Sequence, residues 1–133
     1  MNRFFRKRRT GECAPREVLT RKPIEKQKEK LRPLAAKALE FLSAKDVGGC
    51  VIFDIPGSNN MAVLGIEKGY ASPGQVYFKI DVMPRGSDMA TGYYFHREES
   101  LDALRAYFRD QETTEAVIQA VAELNDSVNR RDD

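Results

Sequence analysis

Between Val47 and Arg97 the chain alternates apolar and polar residues in short runs, and no gap between the runs is long enough to hold a helix. Val51, Phe53 and Ile55 alternate with Cys50, Ile52 and Asp54, and Val76, Phe78, Ile80 and Val82 alternate with Tyr77, Lys79 and Asp81. A period of two is the mark of a strand with one buried face. Met61 to Lys68 (MAVLGIEK) is aliphatic and β-branched, and Thr91 to Arg97 (TGYYFHR) is aromatic, so each is expected as a further strand.

The gaps fix how these strands join. Pro56-Gly57-Ser58-Asn59-Asn60, Gly69 to Gly74 and Pro84-Arg85-Gly86-Ser87-Asp88 are rich in residues that tolerate tight reversals. A parallel pair needs a crossover of about a dozen residues or more, which none of these gaps supplies. The sequence therefore predicts a four-stranded antiparallel β-meander over residues 47–97. Such a meander leaves two edges, either of which can pair between chains.

Helices are expected on both sides of this sheet. Pro23 suits a first helical turn, with Thr20 a cap upstream, and the pattern continues to Lys45 before Gly48-Gly49. Pro33 lacks an amide donor and disfavours helix at the residue before it, so a kink or break is expected there, with the stretch before it standing off the body. Beyond it Leu34, Ala38, Phe41 and Leu42 fall on one face. Ser100 reads as the cap of a helix over 100–109 with Leu101, Leu104, Tyr107 and Phe108 as its apolar stripe. Asp110 or Thr113 opens another over 112–128, carrying Val117, Ile118, Val121, Leu124 and Val128. A sheet needs cover, so these stripes are expected on one of its faces. The fold class is α+β, in the order α-ββββ-α-α. It forms a single domain over 23–133, preceded by a basic, extended and flexible N-terminal arm over 1–22.

Net charge is only +2, but it is unevenly divided. Residues 1–45 carry 14 Lys and Arg against 5 Asp and Glu, a charge of +9, whereas residues 46–133 carry 8 against 15, a charge of −7. A basic head on an acidic body points to a polyanionic partner for the head.

Signatures of catalysis are missing. The sequence has no GxSxG, P-loop, HExxH or Rossmann glycine pattern, and no cofactor is implied. His96, the single histidine, has no nucleophile motif beside it and is expected to be a structural strand residue. Asp54 and Asp81, with Glu67, are the carboxylates that a Mg²⁺-dependent nuclease would need, although charged strand residues more often keep an open face wet. Cys13 and Cys50 lack metal or redox spacing and are expected as buried or idle thiols in a reducing compartment. No run approaches the ~18 apolar residues of a membrane span, and MNRFFRKRR is not followed by a signal-peptide core, so a cytoplasmic location without membrane contact is expected.

The leading expectation is a small non-enzymatic protein that engages nucleic acid or a nucleoprotein through Arg3, Arg6, Lys7, Arg8, Arg9, Arg16, Arg21 and Lys22, continued by Lys26, Lys28, Lys30 and Arg32. Phe4 and Phe5 offer stacking partners for bases, and on the sheet Tyr77, Lys79, Tyr93 or Phe95, and Arg97 make a second, weaker platform. The alternative is a protein-binding inhibitor or adaptor whose acidic body fits a basic surface, as an anti-defence protein of a mobile element would. Small size, a basic head and the missing catalytic signatures are similar to those of accessory proteins of phages and other mobile elements.

Overall fold

The computed structural model of the protein describes residues 13–69 and 74–131, with side chains from residue 25 onward. The elements follow in the order α1 (Cys13–Leu42), β1 (Cys50–Asp54), β2 (Asn60–Lys68), β3 (Val76–Pro84), β4 (Thr91–Glu98), α2 (Leu101–Arg109) and α3 (Gln111–Arg131). The strands form one antiparallel sheet in the order β1-β2-β3-β4, and the helices pack on one of its faces. The α+β meander is therefore the observed fold.

Alternation sets what each face holds. Ala62, Leu64 and Ile66 of β2 and Val76, Phe78, Ile80 and Val82 of β3 point to the helices and are buried. Against them lie Leu31, Ala35, Ala38, Leu39 and Leu42 of α1, Leu104 and Phe108 of α2, and Val117, Ile118, Val121 and Val128 of α3. Phe78 sits at the centre of this core, edge-on to Phe108 at 4.9 Å and to Phe95 at 5.8 Å between ring centroids. Burying each such side chain stabilises the fold by roughly 1.5–3 kcal/mol.

Capping agrees with the sequence at α2, where Ser100 Oγ accepts from the Ala103 amide at 3.1 Å. At the start of α3 the Asp110 carboxylate accepts from the Glu112 amide at 2.9 Å. The Thr113 hydroxyl, buried at the corner, donates to the Tyr107 carbonyl at 2.6 Å and ties α2 to α3. Gly57, at a φ of 73°, supplies the left-handed residue of the β1–β2 turn.

That turn is clasped by a polar cluster. Asn60 Nδ2 donates to Asn125 Oδ1 at 2.7 Å and to Asn129 Oδ1 at 2.9 Å, while Ser58 Oγ donates to Asn125 Oδ1 at 2.9 Å. Asn60 and Asn125 are buried, so the cluster provides the partners that buried amides require.

Two expectations are corrected. First, α1 is not broken at Pro33: the helix is continuous through it from Cys13 to Leu42. A mid-helix proline costs roughly 3 kcal/mol or more. The turn before it is nevertheless anchored: Leu31 is fully buried, Gln27 Nε2 donates to the Pro56 carbonyl at 3.1 Å, and Arg32 pairs with Glu115. Burial of Leu31 alone offsets a large part of that cost. Second, the buried face of α1 is rotated. Ala35 and Leu39 lie in the core, whereas Phe41 is 44% exposed and Leu34 only half-buried.

Candidate functional site

Of the cations singled out in the sequence, Arg3, Arg6, Lys7, Arg8 and Arg9 lie outside the described residues, as do the side chains of Arg16, Arg21 and Lys22. The rest are carried by α1. Lys26 and Lys30, one turn apart, are both exposed and share a helical stripe. Lys28 is half-buried and stands 3.8 Å from Glu25.

Arg32 is committed elsewhere. Its Nε and Nη2 donate to the two oxygens of Glu115, each at 2.9 Å, in a side-on bidentate pair. The hydrogen bond and the charge of Glu115 raise the Arg32 pKa, and the hydrogen bond from Arg32 holds the Glu115 carboxyl below its ordinary value. The arginine nearest the body thus already has an anion.

The helix-free face of the sheet is the second candidate surface, and the register arranges it in cross-strand rows. Glu67, Tyr77 and Arg97 form one row; Cys50, Gly65, Lys79 and Tyr94 the next; Ile52, Val63, Asp81 and Gly92 the third. Tyr77 and Tyr94 are 4.9 Å apart between ring centroids, Lys79 Nζ lies 5.6 Å from the Tyr94 centroid, and Tyr94 Oη donates to Glu67 Oε1 at 3.2 Å. Gly65 has no side chain to fill its place, which leaves a hollow of about 210 Å³ bordered by Cys50, Val63, Glu67, Lys79 and Asp81.

This is not the platform expected from the sequence. Tyr77, Lys79 and Arg97 do share the open face, but the aromatic that joins them is Tyr94, not Tyr93 or Phe95. A bulge between Phe78 and Lys79 shifts the phase of β4, so that Tyr93 pairs with Ile80 and Phe95 packs on Phe78, on the helix side. Burial pushes the Tyr93 and Tyr107 phenols above their ordinary pKa. Of the two readings offered for the thiols, buried or idle, burial does not hold for Cys50, which is free and exposed on the open face.

His96 and the carboxylates have local partners. His96 Nε2 stands 2.6 Å from Glu98 Oε2, and the ring stacks on Tyr107 at 3.6 Å with 5° between planes. Asp54 pairs with Arg85 at 2.8 Å and Asp81 with Lys79 at 3.7 Å. Among the described residues, no group of three or more His, Cys, Asp and Glu is placed to hold a metal ion. No helix among them is long and apolar enough to cross a membrane.

No family model matches the chain, and neither a characterised protein nor a solved structure resembles it closely enough to count as a match.

Proposed function

We propose that the protein is a non-enzymatic binding module that engages nucleic acid, or a nucleoprotein, through the basic residues preceding Arg32. The observation that carries this reading is the division of charge, +9 over residues 1–45 against −7 over the remainder. Lys26 and Lys30, exposed on α1, continue that basic stretch towards the body. Side chains that neutralise phosphates release counterions, so the interaction is electrostatic and largely indifferent to base sequence. Arg32, held by Glu115, takes no part in it.

The test is fluorescence anisotropy with labelled single- and double-stranded DNA and RNA across a salt series. If six or more groups meet phosphate, affinity falls by roughly three to five orders of magnitude between about 50 and 200 mM salt. Deleting residues 1–12, which leaves α1 whole, should flatten that dependence. Binding that is insensitive to salt, or unchanged by the deletion, would falsify the reading. Capture of a protein partner from nuclease-treated lysate would point instead to an adaptor acting through exposed carboxylates such as Asp102, Glu112 and Glu123.

A further inference from the structure

The two edges of the sheet differ in how they are protected. β4 is bulged, carries His96, Arg97 and Glu98, and is crossed at its start by Arg131, whose Nη1 donates to Thr91 Oγ1 at 2.6 Å. β1 has the sequence CVIFD, with no lysine, proline or bulge. Bulges and charge are the devices that keep an edge from pairing, and β1 largely lacks them.

The backbone groups of β1 that point away from β2 can be assigned. The Ile55 amide donates to the Asn60 carbonyl, and the Gly49 carbonyl accepts from the Ile66 amide, so odd-numbered residues of the strand point their N–H and C=O groups inward to β2. Cys50, Ile52 and Asp54 consequently point theirs outward. Beside this edge, on the helix side, lies an apolar groove of about 550 Å³ walled by Val51 and Phe53 of β1 and by Leu34, Ala38 and Phe41 of α1. Lys37 and Glu40 stand on its rim, and among the described residues neither has an ion-pair partner.

We propose that β1 and this groove form a two-fold interface with a second copy of the chain, joining two four-stranded sheets edge to edge. With the axis at Ile52, the outward groups of Ile52 bond those of Ile52 in the other copy, and Cys50 bonds Asp54, each pair exchanging both N–H···O bonds of an antiparallel ladder. Val51 then lies opposite Phe53 of the other copy on the helix side, and the half-buried Leu34 and exposed Phe41 of the two α1 helices close the groove. The occupant is a second copy because the rim is self-complementary. A two-fold axis places opposite charges against each other twice, Lys37 of each copy facing Glu40 of the other.

Sedimentation velocity on the full chain, in nucleic-acid-free buffer across a concentration series, tests this apart from any nucleic-acid reading. A species of twice the 15.1 kDa chain mass is expected. Ile52→Lys, at a side chain already 55% exposed, should yield a monomer with unchanged circular dichroism and a melting temperature that no longer rises with concentration. Lys37→Glu should weaken the dimer about tenfold, because two repulsive contacts replace two attractive ones, and adding Glu40→Lys should restore it. A wild-type monomer at all concentrations, a dimer that survives Ile52→Lys, or a double variant no tighter than the single one overturns the proposal. So does an edge that takes up only an added extended peptide.

Discussion

Arg32 and Glu115 meet side-on, two N–H groups to two oxygens at 2.9 Å each, and so join α1 to α3 one residue before a proline in the middle of the helix. Because Arg32 lowers the Glu115 pKa, the pair contributes fully above the carboxyl's unfolded value, and the contribution is lost as pH falls through the lower folded value. Glu115→Gln should therefore lower the melting temperature slightly at neutral pH, and the difference from wild type should vanish in acid. Thermal melts across pH check this; a gap that widens on acidification contradicts it. Both groups are exposed, so salt should shrink the effect.

The same pair separates structural from binding cations. Reversing Lys26 and Lys30 to Glu should reduce the slope of log affinity against log salt for nucleic acid by about one per lysine. Arg32→Gln should leave that slope unchanged. Equal effects from all these positions would show that the Arg32 pair opens when ligand arrives.

In the asparagine cluster, Asn125→Ala removes the acceptor shared by Ser58 and Asn60. A buried donor left without a partner costs about 1–3 kcal/mol. Urea unfolding should show a loss in that range for Asn125→Ala and a smaller one for Asn129→Ala, whose side chain is exposed.

Two glycines of the open face should respond in opposite ways. A Cβ at Gly92 would collide with the Asp81 carboxylate and the Ile80 carbonyl, and that carbonyl, as backbone, cannot swing aside. Gly92→Ala should cost about 1–3 kcal/mol as β4 shifts outward. A Cβ at Gly65 would meet its nearest neighbours at 3.7 Å, an ordinary contact, so Gly65→Ala should be neutral or stabilising. Denaturant midpoints of the two variants give the comparison directly.

Where sequence and structure agree or part has physical causes. Strands were legible because period-two burial and short turns allow little else, and Val51, Phe53 and Ile55 do lie on the helix side of the sheet as expected. The α1 stripe was misjudged because large residues dominate such a reading. Ala35 and Ala38 allow close approach to the core, so Leu31, Leu39 and Leu42 turn inward and Phe41 is left at the surface. The Pro33 break was predicted from local propensity, which the tertiary contacts of Gln27, Leu31 and Arg32 outweigh. The place of Tyr94 in the sheet platform was unreadable, since a bulge inverts the alternation after it without leaving a mark in composition. Nor did spacing reveal that Arg32 meets Glu115, two residues 83 positions apart.

The Asn60 clasp also bears on how the chain matures during translation. Domains assemble in the order in which the ribosome delivers them, and the β1–β2 hairpin is complete long before Asn125 and Asn129 leave the exit tunnel. Until then the Asn60 amide has only water for company and the hairpin has no latch. The last turns of α3 therefore complete the latch, and a nascent chain stalled before them should be the form most open to proteases.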